Sequence, residues 1–155
     1  MIRYAGTVER LATVDIDGIL GWLAGISFDE WPQQSRLELR PAMVTDLDWH
    51  GFGDVTEAMV DSLMGFFPGC VAEQRMLSVV MPGHSIDPHV DRQSPHWVCR
   101  VHVPLTSNDQ SVFMVGGEVH RLEPGEAYEV NTEAEHSVAN DGLTPRIHFM
   151  FDVRN

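Results

Sequence analysis

Basic residues are scarce in this sequence. Its 155 residues include 10 lysine and arginine residues against 23 aspartate and glutamate residues, which gives a formal net charge of −13. Binding to nucleic acid or to an anionic membrane requires clusters of positive side chains. The composition therefore predicts neither kind of partner. An acidic surface is compatible with a neutral or cationic small-molecule or peptide substrate, and it also serves solubility alone.

Long apolar runs are missing as well. Residues 1–10 contain no apolar core of a signal peptide, and the longest near-apolar run, residues 18–26, is far too short to span a bilayer. The two cysteines, Cys70 and Cys99, have no metal-like spacing and are too few for an exported disulfide scaffold. These absences predict a cytoplasmic protein with two reduced thiols, and they leave the oligomeric state open.

Repeats, low-complexity tracts and linkers are also absent, so we expect a single domain over residues 1–155. The sequence texture changes near residue 70. Residues 1–70 predict a cover of helices. Within this cover, residues 36–44 predict a strand followed by a proline turn. Residues 71–155 predict a β core that carries the functional residues.

Two segments of the predicted cover have apolar side chains at helical spacing. The first is residues 14–26, in which Asp15 or Asp17 is suited to cap the helix. The second is residues 54–67, which Pro68-Gly69 is suited to end. We therefore expect two amphipathic helices that pack on the β core.

The second half of the chain contains short strand-like runs separated by turn residues. Gly116-Gly117 between two such runs indicates a hairpin, and Pro124-Gly125 indicates a type II turn. Seven or eight short strands at regular spacing are typical of a sandwich or jelly roll. The fold class we predict is mainly β with an α cover, built on a jelly roll. The runs are MLSVVMP, WVCRVHVPL, SVFMV, EVHRL, EAYEV, HSVAN and RIHFMFDV.

A possible metal site lies in this β half. His89 and Asp91 are two residues apart, so on an extended segment their side chains lie on one face and can bind one ion. The third ligand must come from elsewhere, and His136 is the best candidate. Two histidines and one carboxylate leave three positions open, the arrangement used by non-haem Fe(II) oxygenases. A His-x-Asp pair alone is weak evidence, because it occurs in many proteins without a metal.

Two arginines strengthen this interpretation. Arg146 opens the last predicted strand, and an arginine that points into a jelly roll requires an anion, for which a carboxylate fits its planar guanidinium. Arg100 and His102 likewise share one face of their strand. A metal triad with two arginines in one barrel interior indicates a bound dicarboxylate beside the metal. The face of the last strand that contains Arg146 also contains His148, Met150 and Asp152.

The same stretches resemble the aspartyl/asparaginyl β-hydroxylase family of Fe(II)/2-oxoglutarate oxygenases. The resemblance runs from about residue 76 to residue 153 and covers, in order, SVVMPGHSIDPH, RVHVPL, VGGEVHRLEPGEAYEVN, HSVAN and PRIHFMFDV. It implies a double-stranded β-helix with His89 and His136 as iron ligands. Family members differ two residues after the first histidine, where bacterial free-amino-acid hydroxylases of similar core carry a carboxylate. Asp91 at this position implies a complete triad.

The resemblance further implies a role for four polar residues. Ser78 and Arg146 match the positions that hold the distal carboxylate of 2-oxoglutarate. Arg100 and His102 match positions beside the iron that contact the co-substrate or the carboxylate of the substrate. The implied cofactors are Fe(II), 2-oxoglutarate and O₂, and no residue beyond the metal site is expected to be catalytic. The implied reaction hydroxylates an amino acid, or a peptidyl or amino-acid-like side chain, and releases succinate and CO₂.

Substrate contacts are expected from the N-terminal half and from the mouth of the barrel. The candidates there are Arg36, Arg40, Trp49 and His50. Two alternative functions stay open. One is a metal-binding cupin that does not use 2-oxoglutarate, although the usual early His-x-His is missing and such a protein has no need of Arg146. The other is a catalytically silent ligand-binding jelly roll, which the intact triad disfavours.

Overall fold

The computed structural model describes residues 6–31, 42–91 and 94–155. In these residues the helices are α1 (Asp17–Ala24) and α2 (Phe52–Met64), with short 3₁₀ turns at Phe28–Glu30 and Trp49–Gly51. The strands are β1 (Val8–Thr13), β2 (Ala42–Val44), β3 (Val71–Val80), β4 (His84–His89), β5 (Trp97–Thr106), β6 (Ser111–Val115), β7 (Glu118–His120), β8 (Glu126–Val130), β9 (His136–Asn140) and β10 (Arg146–Arg154).

The strands form two antiparallel sheets that face each other. The large sheet has the order β1-β8-β5-β10-β3-β2, and the small sheet has the order β4-β9-β6-β7. Along the chain, strands β3 to β6 alternate between the two sheets, and so do strands β7 to β10. This winding is a double-stranded β-helix, so the predicted jelly roll is confirmed.

Strand β10 shows how the large sheet separates two environments. Phe149 and Phe151 are fully buried on the outer face, where the ring of Phe149 lies 6.0 Å from the ring of Phe52 in α2. The alternate residues are also buried but lie on the inner face, where the guanidinium of Arg146 lies 5.5 Å from the ring of Phe113 in the small sheet. Successive side chains on a strand point to opposite faces, so one strand lines both the core and the interior of the barrel.

The hydrophobic core has two parts because the large sheet is covered on both faces. The outer part joins the large sheet to the two helices and includes Ile19 of α1 and Leu63 of α2. The inner part lies between the two sheets and consists of Val80, Phe113, Val115, Leu122, Tyr128, Val130 and Val138. Polar side chains share the space between the sheets with this inner cluster.

Both predicted helices are present, with shifted boundaries. Helix α1 is shorter than predicted, and the Asp15 side chain accepts a hydrogen bond of 3.0 Å from the amide of Asp17 at its start. Helix α2 begins at Phe52, two residues before the predicted start, after Gly51 in a left-handed conformation with φ of 74°. It buries Met59 and Val60, members of the predicted apolar stripe.

The turns predicted from glycine are confirmed. Gly116 and Gly117 have φ of 60° and 81° and connect β6 to β7, as a two-residue hairpin turn requires. Gly125 has φ of 81° in the turn before β8, the value that a type II turn needs after proline. Only glycine adopts these angles without strain, which explains why the sequence signal is strong.

The sequence analysis did not predict two of the strands, β1 and β4. β1 pairs with β8 at one edge of the large sheet, although its side chains follow no regular alternation of buried and exposed positions. β4 contains a proline, Pro88, and its pairing with β9 is irregular between Ile86 and His89. The predicted cover, residues 1–70, therefore also supplies β1 and β2, the two edge strands of the large sheet. Of the strand predicted at residues 36–44, residues 36–41 lie outside the described residues and the remainder forms β2.

Two further features concern the thiols and the helices. Cys99 is buried and Cys70 is half-buried, and neither forms a disulfide. Among the described residues, no helix has the length and the hydropathy that crossing a bilayer demands.

The contact between α2 and the sheet can be tested with Phe52→Ala. The Phe52 side chain is fully buried against Phe149, so its truncation should lower the free energy of unfolding by about 3–5 kcal/mol. The matched control is Leu143→Ala, because Leu143 is 93% exposed and its truncation should change stability by less than about 0.5 kcal/mol. Denaturant titration measures both. Equal stability of the two variants would show that α2 does not pack on the sheet.

Candidate active site

Three potential metal ligands meet at the open end of the barrel. His89 ends β4, His136 begins β9, and the two residues are directly paired between these strands. Asp91 follows two residues after His89, and its amide donates a hydrogen bond of 3.0 Å to the carbonyl of Thr132. One ligand atom from each of the three side chains lies within 4.8 Å of the others. The strand pairing therefore brings together residues that are up to 47 positions apart in the sequence.

Both histidines are oriented by backbone carbonyls. The Nδ1 of His89 lies 2.8 Å from the carbonyl of Asp87, and the Nδ1 of His136 lies 2.9 Å from the carbonyl of Ala134. A carbonyl only accepts, so each Nδ1 carries the proton and each Nε2 keeps a free lone pair. These Nε2 atoms lie 3.7 Å and 3.6 Å from the Asp91 carboxylate. The lone pairs thus converge on one point.

The donor set fits a divalent first-row metal such as Fe(II). Two neutral imidazoles and one carboxylate on one side leave the opposite side open to other ligands. Burial lowers the pKa of His136 below its usual value, which keeps its imidazole neutral and able to bind a metal. The Asp91 carboxylate lies between the two histidines, with one oxygen nearest to each Nε2.

The triad opens into a cavity of about 390 Å³. Ile86, Phe113, Val138 and Met150 contribute apolar side chains to its lining. Its polar lining includes Ser78, which is only 1% exposed. A concave, mainly apolar site with a few convergent polar groups is typical of a small-molecule pocket.

Arg146 is a buried cation of this cavity, and its Nη2 lacks a hydrogen-bond partner. Its side chain is 3% exposed, and its Nη2 makes no hydrogen bond. Burial without a counter-charge lowers the pKa of its guanidinium to about 9. Burying an unpaired charge is costly, so the cavity favours an anion at this position. Ser78 lines the same cavity, as the sequence predicts for two residues that bind one carboxylate.

His102 lies next to a second buried histidine that the sequence analysis left without a role. The Nδ1 atoms of His102 and His148 are 3.3 Å apart, and the Nε2 of His102 has no partner. Burial, reinforced by the charge of Arg146, lowers the pKa of both histidines well below the usual value. Both are therefore neutral at pH 7. Their position on the inner faces of β5 and β10 was visible in the alternation, but their contact was not.

Arg100 is paired with two carboxylates of the protein. Its Nε and Nη2 donate to the two carboxylate oxygens of Asp152 at 2.8 Å and 3.0 Å, and its Nη1 donates to Asp91 at 2.6 Å. Burial alone would lower the pKa of this guanidinium, but the hydrogen bonds and charges of the two carboxylates outweigh burial and raise the pKa. Arg100 lines the cavity, yet its charge is already paired.

Two of the four predicted substrate contacts in the N-terminal half, Trp49 and His50, lie among the described residues. Trp49 packs against Trp22 and Trp31 in the helical cover, and the backbone carbonyl of His50 accepts a hydrogen bond of 2.7 Å from Trp22. Neither residue lines the cavity, so the structure gives no support to their predicted substrate role. The other two candidates, Arg36 and Arg40, lie outside the described residues. Of the described residues in this half, Met43 lines the cavity.

Comparison with solved structures supports the fold. The chain is similar to the viral collagen prolyl hydroxylase vCPH of Paramecium bursaria Chlorella virus 1 in its 2OG complex, with 10% identity, a TM-score of 0.63 and 97% of each chain covered. AviO1 from Streptomyces viridochromogenes has 15% identity and a TM-score of 0.65, over 96% of this chain and 90% of AviO1. A 2OG-Fe(II) oxygenase family oxidoreductase from Burkholderia pseudomallei has 15% identity and a TM-score of 0.55, over 74% of this chain and 66% of its own.

Sequence comparison identifies the family. No curated protein sequence matches the chain. The family model described as aspartyl/asparaginyl beta-hydroxylase matches residues 54–155, which are about two thirds of the chain and contain the complete triad and Arg146. The description of this family indicates a β-hydroxylase. The chain belongs to the aspartyl/asparaginyl β-hydroxylase family.

Proposed function

We propose that this protein is an Fe(II)- and 2-oxoglutarate-dependent oxygenase that hydroxylates an amino acid, or a peptidyl or amino-acid-like side chain. The observation that carries the proposal is the content of one cavity. It contains a histidine–aspartate–histidine cluster whose ligand atoms lie within 4.8 Å of one another and, on the opposite sheet, a buried arginine without a hydrogen-bond partner at its Nη2. A metal accounts for the first feature, and a carboxylate ligand accounts for the second.

Three side chains would hold the metal. They are the Nε2 of His89, the Nε2 of His136 and the carboxylate of Asp91, whose charge partly neutralises the cation. With 2-oxoglutarate bound, Fe(II) supplies the activation of O₂ that converts a substrate C–H to C–OH while 2-oxoglutarate becomes succinate and CO₂. The carbonyls of Asp87 and Ala134 fix the two imidazoles at their Nδ1 atoms, so each Nε2 is oriented before the metal binds.

Arg146 would hold the distal carboxylate of 2-oxoglutarate. Its guanidinium offers two parallel N–H donors, which match a carboxylate geometrically as well as electrostatically. The hydroxyl of Ser78 and the unpartnered Nε2 of His102 lie in the same cavity and add hydrogen-bonding groups for this ligand. A hydrogen bond to a charged group contributes about 1.5–3 kcal/mol when buried.

The apolar wall of the cavity would exclude water from the reaction. Ile86, Phe113, Val138 and Met150 provide no hydrogen bonds to solvent and surround the space between the triad and Arg146. A dry cavity strengthens the charge-assisted bonds to the co-substrate and suits the C–H bond of a substrate side chain. The family supports an amino acid or an amino-acid-like side chain as the substrate class.

The alternative of a metal-binding jelly roll that does not use 2-oxoglutarate leaves Arg146 unexplained. Such a protein would bury a guanidinium without an anion, at a cost of several kcal/mol. A silent ligand-binding module would have no need of three ligand atoms within 4.8 Å of one another. Succinate formation from 2-oxoglutarate, measured with Fe(II) and a panel of amino acids and peptides, separates the proposed oxygenase from both alternatives.

Removal of a histidine ligand tests the metal site. His89→Ala and His136→Ala should each abolish tight Fe(II) binding and succinate formation, because each takes one of two neutral donors from the site. His96→Ala is the matched control, since His96 is exposed and lies outside the cavity. Anaerobic titration with Fe(II) measures the affinity. Wild-type affinity in either ligand variant would refute the triad.

The co-substrate site is tested by Arg146→Lys. Lysine keeps the charge but loses the two parallel donors, so the affinity for 2-oxoglutarate should fall more than about tenfold, equivalent to about 1.4 kcal/mol. Metal affinity should be unchanged. The exposed Arg121 provides the control variant Arg121→Lys. Calorimetry with Mn(II)-loaded protein avoids turnover, and an unchanged affinity for 2-oxoglutarate would assign its distal carboxylate to another residue.

A further inference from the structure

A buried chain of charges lies behind the proposed metal ligand Asp91. Arg100 binds both oxygens of the Asp152 carboxylate through Nε and Nη2, and it binds Oδ2 of Asp91 through Nη1. The side chains of Asp152 and Arg100 are 6% and 13% exposed, whereas that of Asp91 is 25% exposed at the cavity. These three charged side chains thus form a continuous row from the protein interior to the proposed metal site.

The sheet fixes the inner end of this chain. Arg100 of β5 and Asp152 of β10 are directly paired across the two central strands of the large sheet. Asp152 also lies 3.4 Å from the Nε1–H of Trp97, which donates to the same Oδ1. A guanidinium held at two nitrogens by a bidentate carboxylate cannot rotate, so the direction of Nη1 is set by the strand pairing.

The outer end of the chain sets the orientation of Asp91. Its Oδ2 accepts the 2.6 Å bond from Arg100, while its Oδ1 lies 3.7 Å from the Nε2 of His89. A carboxylate has two oxygens, and a donor fixed on one of them fixes the plane of both. Groups that orient metal ligands in this way typically change metal affinity by about 10–100-fold when they are removed.

We propose that Arg100 is a positioning residue that holds the Asp91 carboxylate ready for the metal, with Asp152 as its anchor, and that it does not bind the carboxylate of 2-oxoglutarate or of the substrate. This inference rests on the proposed function, since it assigns Arg100 a role toward the same metal. It replaces the role that the family resemblance implies for this position.

The division of labour between the two arginines supports this assignment. Arg100 faces two carboxylates and has donated from all three nitrogens, so its charge is already compensated before a further anion arrives. Arg146 has an unpartnered Nη2 in the same cavity. The opposite pKa shifts of the two guanidinium groups, raised for Arg100 and lowered for Arg146, reflect the same difference. An incoming dicarboxylate is therefore attracted to Arg146.

The test measures two affinities in the wild type and in each variant. One is the affinity of metal-free protein for Mn(II), and the other is the affinity for 2-oxoglutarate at saturating Mn(II). Charge alone predicts no change in Mn(II) affinity for Arg100→Lys and tighter binding for Arg100→Gln, because the latter removes a cation near the metal. The positioning role predicts the opposite sign: both variants should bind Mn(II) about tenfold or more weakly. Both should bind 2-oxoglutarate within about threefold of wild type once the metal is saturating.

Asp152→Asn shows whether the effect passes through Arg100. Asp152 does not line the cavity and can act on the metal site only through Arg100. Its substitution should therefore weaken Mn(II) binding in the wild-type background and have little further effect in the Arg100→Gln background. If Arg100→Gln does not fold, the double variant Arg100→Gln/Asp152→Asn, which buries no unpaired charge, is measured in its place. Arg121→Gln is the control at an exposed arginine.

Three outcomes overturn the proposal. Arg100 variants that keep or gain Mn(II) affinity exclude a positioning role. Variants that lose about tenfold in 2-oxoglutarate affinity at saturating metal assign Arg100 to anion binding, and the proposed oxygenase function then stands. Wild-type protein that binds neither Mn(II) nor 2-oxoglutarate refutes the proposed function itself. Weaker metal binding with retained co-substrate affinity supports the proposal, because a general loss of structure would lower both.

Discussion

The antiparallel pairing of β5 with β10 is the constraint on which the interior of this barrel depends. Its register places Arg100 opposite Asp152 and His102 opposite Met150. Strand geometry then sends these four side chains to the inner face, while Val101 and Phe151 pack under the helices on the outer face. A slip by one residue would exchange the polar and the apolar faces, so the hydrophobic core that fixes the register also fixes the site.

Desolvation explains how the interior is organised. The inner face buries Arg146, two histidines and Asp152 and half-buries Arg100, and each of these groups must be paired or neutral to be tolerated. Arg100 and Asp152 neutralise each other, and His102 and His148 are neutral because burial lowers the pKa of both. Arg146 alone of these groups remains charged without a counter-ion among the described residues. The proposed dicarboxylate co-substrate supplies the missing negative charge. Because its binding relieves the unfavourable burial of an unpaired Arg146, the site favours an anion.

The sequence predicted those features that depend on period and on residue type. Alternation in residues 146–153 placed Arg146 on an inner face, and the Gly116-Gly117 pair placed a hairpin, because both signals are local. The partners of Arg100 could not be predicted, because alternation assigns a face to a strand residue but not its neighbour across the sheet. The edge strand β1 was missed for a related reason: it is held by pairing with β8, and its own side chains carry no regular pattern. Trp49 and His50 were candidates on residue type alone, and the structure places them in the cover.

The central claim is that one 2-oxoglutarate molecule binds both to the metal held by the triad and to Arg146. Calorimetric titration of the wild-type protein with 2-oxoglutarate, performed without metal and then with saturating Mn(II) in the absence of O₂, tests this claim most directly. The account predicts one 2-oxoglutarate per chain and an affinity at least about tenfold higher with the metal than without it, since chelation adds to the contact with Arg146. Equal affinity in both titrations, or no binding in either, would contradict it.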